Sequence, residues 1–263
     1  MPNTDNQIRK ENLPLFLEGN HTGILLVHGF TGGPHEMLPL GKKLAVEKYT
    51  ISIPLLPGHG TNAEDLVGCV WQDWFEHAKQ ALFALRKRCS RIIVIGQSMG
   101  GTLALHLAAH FQVEGVVSLA TGMIIKEKKA VFLPIAAKFR KFRYKKNGPD
   151  VRDDTERERL KSLSYDKTSL KAALQLKKLF KHVRLDLPEI YCPVLIAHSV
   201  NDHVTDYRGS ELVYEEISSE NKKMLNLTES YHVLTVDVEK HIVYREILKF
   251  VKQIVDSSTD SAG

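Results

Sequence analysis

Three observations predict a single α/β domain built on a mostly parallel sheet with helices on both faces. Short β-branched apolar runs alternate with segments of helical periodicity from residue 23 to about 120, and again from 194 onward. The chain has 263 residues, 43% apolar and 25% charged, which is the composition of an ordinary globular protein with a large core. Between the two alternating stretches lies a segment of different charge. Residues 121–190 carry 19 Lys or Arg against 9 Asp or Glu, whereas the rest of the chain sums to −5. The expected organisation is a core formed by residues 1–120 and 191–263, with a basic helical cap inserted at 121–190 after the strand near 115–119.

The first element in order is the run Gly23-Ile-Leu-Leu-Val-His28, which ends at Gly29 and reads as a buried strand. A helix is expected over 37–47 and a second strand over 50–53, closed by Pro54. Residues 71–88 place Trp71, Trp74, Phe75, Ala78, Leu82 and Leu85 at helical spacing. A third strand over 91–95, a helix over 98–110 and a fourth strand over 115–119 follow. After the insert, 194–197 and 223–228 read as strands, and 207–217 and 238–255 as helices.

Several function classes are excluded at this level. Cys69, Cys89 and Cys192 are odd in number and widely spaced, so they suggest neither a disulfide framework nor a zinc motif. Residues 1–20 include Asp5, Arg9, Lys10, Glu11 and Glu18 and hold no apolar core, so no secretory signal is expected. The richest apolar stretch, 115–125, has 11 residues, short of the roughly 20 that span a bilayer. A cytoplasmic protein without internal repeats is expected, with a polar tail over 257–263.

The strongest chemical signal is Gly96-Gln97-Ser98-Met99-Gly100, followed by Gly101, between a strand and a helix. In that setting G-x-S-x-G forms a nucleophile elbow, a strained turn that lifts the serine above the sheet. Such a serine needs an imidazole base and a carboxylate, in the chain order Ser, Asp or Glu, His. The 12 histidines select nothing by composition, but position does. Asp202 lies on the loop behind the strand at 194–197, and His232 on the loop behind the strand at 223–228. Open α/β sheets place their chemistry at these carboxyl ends. Asp206 is the rival acid. His198 and His203 flank the acid loop out of order, and His241 falls within a surface helix. The expected triad is Ser98, Asp202 and His232, with the N–H groups of Met99 and Phe30 as oxyanion donors. The loop His28-Gly29-Phe30-Thr31-Gly32-Gly33 lacks the G-x-x-x-x-G-K-[ST] pattern of a phosphate cradle. Pro57-Gly58-His59-Gly60 reads as a shaped turn on the same rim, with no catalytic role for His59.

These residues make the chain resemble the α/β-hydrolase superfamily, and within it the small bacterial carboxylesterases and monoacylglycerol lipases. The matching stretches are Leu26-Val-His-Gly-Phe-Thr-Gly-Gly-Pro-His35, Leu56-Pro-Gly-His-Gly-Thr61, Gly96-Gln-Ser-Met-Gly-Gly101, Asn201-Asp-His-Val204 and Ser230-Tyr-His232. The resemblance runs from about residue 14 to 255 and is loosest in the cap. It implies the α/β-hydrolase fold and a serine ester hydrolase acting on short to medium acyl esters or monoacylglycerols, with no metal and no organic cofactor. A thioesterase, acyltransferase or serine aminopeptidase on the same triad is the alternative. One departure stands out. Monoacylglycerol lipases of this type carry an acidic cap residue just before a Leu-x-Tyr-x-Lys stretch, whereas here Ser162 precedes Leu163-Ser-Tyr-Asp-Lys167.

The cap has a further property. Residues 126–146 hold nine Lys or Arg against the single acid Glu127, interleaved with Val131, Phe132, Leu133, Ile135, Phe139, Phe142 and Tyr144. A basic amphipathic segment can lie on an anionic membrane surface. The plainer expectation is a solvated cap helix whose apolar face lines an acyl pocket. A nucleic-acid partner is not expected, because no recognised module accompanies the charge.

Overall fold

The computed structural model describes residues 8–126, 132–145 and 148–257. The strands are β1 (Leu15–Leu17), β2 (Thr22–Val27), β3 (Thr50–Ile53), β4 (Arg91–Gln97), β5 (Gly115–Leu119), β6 (Phe142–Tyr144), β7 (Lys167–Ser169), β8 (Val194–Ser199) and β9 (Lys222–Leu227). The helices are α1 (Pro34–Val46), α2 (Trp71–Arg86), α3 (Met99–His110), α4 (Leu133–Phe139), α5 (Asp154–Lys161), α6 (Leu170–Asp186), α7 (Arg208–Glu216) and α8 (Lys240–Ser257).

Seven strands form the central sheet in the order β1-β3-β2-β4-β5-β8-β9. Only β1 runs antiparallel to its neighbour; every other pair is parallel. The continuous apolar runs are what a sheet buried on both faces requires. In β2 all six residues are buried, and alternate side chains enter opposite layers. Leu25 and Val27 join Trp74, Leu82, Leu103, Leu179 and Val183 from α2, α3 and α6 on one face. Ile24 and Leu26 join Met37, Leu40, Leu44, Val243 and Ile247 from α1 and α8 on the other. The α/β-hydrolase architecture predicted from the sequence is therefore present.

Two details differ from the sequence expectation. The edge strand β1 was not anticipated, because three residues are too few to show an alternation. The segment between β5 and β8 is not purely helical, since β6 and β7 pair as a small antiparallel sheet. Among the described residues no helix is long and apolar enough to cross a membrane. The three cysteines are free. Glu127, Lys128, Lys129, Val131 and Lys146 of the basic stretch, and most of the polar tail, lie outside the described residues.

Candidate active site

Ser98 sits between β4 and α3 with φ +55° and ψ −116°, a left-handed conformation rare for a residue with a side chain. Its neighbours explain how the turn is tolerated. A Cβ on Gly96 would lie 2.0 Å from the Gly100 carbonyl oxygen, and one on Gly100 would lie 2.0 Å from that of Val27. Only glycine permits the strand and helix to approach this closely. The Ser98 N–H donates to the Leu119 carbonyl at 2.7 Å, pinning the turn to β5.

The structure brings Asp202 and His232 to this serine. His232 Nε2 lies 2.9 Å from Ser98 Oγ, and His232 Nδ1 lies 2.6 Å from Asp202 Oδ2. Asp202 is 1% exposed and His232 is 7% exposed, so the relay is sheltered from water. Asp202 Oδ1 accepts from the N–H groups of Val204 and Thr205, at 2.7 and 2.9 Å. Its Oδ2 also accepts from Thr205 Oγ1 at 2.8 Å and contacts His198 Nε2 at 3.0 Å. Burial alone would push the Asp202 carboxyl up. The charge of His232 and the hydrogen bonds from His198 and His232 outweigh that and hold it well below the usual carboxylate range. Burial opposes charge on His232 as well, yet the facing Asp202 carboxylate raises its pKa above that of an ordinary imidazole.

The rival residues are engaged elsewhere. Asp206 is gripped by the Arg208 guanidinium at 2.6 and 3.0 Å. His203 is exposed and bonds the Asp150 carboxylate at 2.9 Å. His241 is exposed on α8. His198 is fully buried between Asp202 and Ser210 Oγ, the latter at 2.6 Å. It braces the acid from behind and has no direct bond to Ser98 among the described residues.

Met99 opens α3, where the first N–H groups of a helix lack intrahelical partners. The Phe30 N–H has no hydrogen-bond partner among the described residues. The loop that carries it is fixed by His28, whose Nε2 accepts from the Leu56 N–H at 3.1 Å while Nδ1 donates to the Gly29 carbonyl at 2.9 Å. Burial, reinforced by His59 nearby, lowers the His28 pKa far below the usual value and keeps this tautomer neutral. His59 is likewise pushed down to about 4 by burial; its Nδ1 donates to the Pro57 carbonyl at 3.0 Å.

Two residues that carry weight here were not singled out from the sequence. Glu36 on α1 is 6% exposed, beneath the loop at Gly29 and Gly32, and burial pushes its carboxyl up to about 7. Its only sequence signal is an acid in the first turn of α1, an ordinary dipole preference that suggests no burial. Asp150 precedes α5 and ties the insert to both loops of the site. Its carbonyl accepts from the His232 N–H at 3.0 Å, and its carboxylate accepts from the His203 N–H at 3.0 Å. Tyr165, within the Leu-x-Tyr-x-Lys stretch, packs its ring on His59 and donates its hydroxyl to the Gly58 carbonyl at 2.9 Å. Ser162 is exposed, and its hydroxyl donates to the Arg159 carbonyl at 2.8 Å, closing α5.

Known proteins resemble this chain in sequence and fold. The sequence profile described as serine aminopeptidase, S33, matches residues 19–239. A thermostable monoacylglycerol lipase of Bacillus sp. (strain H-257) is 35% identical over 238 residues, covering 90% of this chain and 93% of that one. A carboxylesterase of Bacillus subtilis (strain 168) is 27% identical over 245 residues, covering 92% and 96% of the two chains. A solved structure from work on the metagenome-derived lipolytic enzymes LipS and LipT superposes with a TM-score of 0.89 at 30% identity, covering 94% of this chain and all of that one.

Proposed function

This chain belongs to the serine aminopeptidase S33 family, and from that premise we propose that it hydrolyses carboxylic esters through Ser98, His232 and Asp202. The observation that carries the reading is the unbroken relay from Ser98 Oγ through the His232 ring to the Asp202 carboxylate, at 2.9 and 2.6 Å. Ser98 Oγ attacks the acyl carbon as His232 Nε2 takes its proton. The N–H groups of Phe30 and Met99 receive the developing oxyanion. On collapse, His232 returns the proton to the leaving alcohol, and the acyl group stays on Ser98. A water then gives its proton to His232 and attacks the acyl-enzyme, releasing the acid and restoring the serine. Asp202 holds the imidazole in the tautomer with Nδ1–H and stabilises its charged form.

The segment 121–190 serves in this reading as a cap over the site, its front part held by Asp150 and Tyr165 at the rim and its helix α6 packed on the core. Short to medium acyl esters with a simple alcohol part are the preferred substrates. Ser162 spends its hydroxyl on α5, so a glycerol moiety finds no acidic partner at that position. The cap also offers Phe132, Ile135 and Phe139 at 62%, 59% and 83% exposure beside Lys138, Arg140 and Lys141, which supports peripheral contact with an anionic lipid surface. Cytoplasmic residence accords with this chemistry.

The test compares the protein with Ser98→Ala on p-nitrophenyl esters of rising chain length and on a monoacylglycerol. We expect the variant to lose roughly 10³- to 10⁶-fold in kcat with unchanged folding. A parent protein inactive on esters but active on thioesters or peptides would move the assignment to another acyl-transfer reaction on the same triad.

A further inference from the structure

Away from the serine, α3 carries a second group of chemistry-bearing residues. His106 and His110 stand one turn apart on that helix, the i, i+4 spacing that points two imidazoles the same way. Asp186, the last residue of α6, faces them across the contact between the two helices. Asp186 Oδ2 lies 2.8 Å from His106 Nδ1 and 3.7 Å from His110 Nε2, and all three donor atoms fall within 4.8 Å of one another.

We propose that His106, His110 and Asp186 bind a divalent transition-metal ion of the zinc class, which clamps the nucleophile-bearing helix α3 to α6. Two imidazoles and a carboxylate suit zinc, nickel or copper and are a poor set for magnesium or calcium. The spacing fits as well. Bonds of about 2.0–2.2 Å keep tetrahedral ligand atoms roughly 3.3 Å apart, a value between the 2.8 and 3.7 Å found here.

A plain His–Asp ion pair is the competing account, and two observations weigh against it. The 2.8 Å contact lacks hydrogen-bond geometry, and neither His106 Nδ1 nor Asp186 Oδ2 has another hydrogen-bond partner among the described residues although both atoms are buried. Buried polar atoms are seldom left this way. The side chains of His106, Asp186 and His110 are 7%, 22% and 47% exposed, which grades the site from a closed inner end to an open outer one. Phe75 packs on the His106 ring at 4.3 Å, while His182, one turn before Asp186, packs against Trp71 at 5.0 Å. These rings wall the inner end and orient the imidazoles.

The test uses chelator-treated full-length protein, titrated with ZnCl₂ and separately with MgCl₂. Isothermal titration should give one zinc per chain and no comparable magnesium binding. Scanning calorimetry should show a melting temperature about 5–10 °C higher at free zinc near 100 times Kd. His110→Ala and Asp186→Asn should each weaken zinc at least tenfold and abolish the shift. Titration at 20 °C reads binding directly even if a variant melts lower. No one-to-one binding by the parent, or equal affinity in both variants, would overturn the site.

Discussion

The central sheet and the front of the inserted segment are held by different forces. In β2, β4 and β5 every residue but Arg91 is buried, most of the side chains are apolar, and both faces of the sheet are covered by helices. In the insert, α4 buries none of its residues and α5 buries only Leu160. That part of the chain reaches the core through one small apolar cluster, Val151 and Leu160 against Val233 and Val236, and through polar anchors. Arg152 and Asp153 donate their N–H groups to the buried Asp237 carboxylate, Lys145 donates to Thr31 Oγ1, and Lys126 donates to the Asp202 carbonyl. Apolar burial is non-directional and large, whereas each polar anchor contributes about 1 kcal/mol net. The comparison describes a floor that carries Ser98 and a roof held by one small apolar cluster and a few polar bonds. Between them, α6 packs Leu179, Phe180 and Val183 into the core and belongs with the floor.

If the floor carries the chemistry, Asp202→Asn gives the largest effect after Ser98→Ala. The amide cannot hold His232 as the Nδ1–H tautomer, so kcat should fall about 10³- to 10⁴-fold with KM little changed. The acid limb of kcat/KM should also move to lower pH, because the carboxylate is what raises the His232 pKa. Equal pH limbs in parent and variant would break the link between the pair. Next, Leu26→Ala removes a fully buried side chain between α1 and the sheet. It should cost about 2–5 kcal/mol in urea unfolding.

The floor was the legible part of the sequence, and the reason is physical. Continuous β-branched runs and the glycine-framed serine encode burial and a strained turn over a few adjacent residues, so the strands and Ser98 could be read locally. Asp202 and His232 followed because strand order fixes which loops meet. Glu36 and Asp150 were invisible, since their roles arise from contacts across the fold: beneath the loop at Gly29 and Gly32, and onto the backbone of His232. The strands β6 and β7 were missed because three residues carry no period.

Glu36 sharpens the contrast by placing a titrating group inside the floor. Its folded carboxyl is pushed up to about 7 by burial, against 4.5 as the ordinary value. Between those pH values the native state holds a proton that the unfolded chain releases. Its contribution is therefore present below about pH 4.5 and lost as pH rises through 7. Glu36→Gln removes the charge and keeps the shape. It should be more stable than the parent by about 1–3 kcal/mol at pH 8 and no more stable at pH 4.5, measured by urea unfolding at both values. An equal gain at both would mean that packing, not charge, sets its cost.

The smallest effects belong to the roof. The Tyr165 hydroxyl donates to the Gly58 carbonyl at 2.9 Å and accepts from the Thr61 N–H at 3.1 Å, joining insert to rim. Tyr165→Phe deletes both bonds and keeps the ring on His59. Global stability should drop by about 1–2 kcal/mol at most, because the hydroxyl adds little to a fold held by the sheet. The kinetic signature is the sharper readout. A roof hung on such bonds, once loosened, binds substrate less well without disturbing the relay below it, so KM should rise severalfold while kcat holds within twofold. A fall in kcat matching that of Asp202→Asn would mean that roof and floor move as one body, and the division drawn between them would fail at its main anchor.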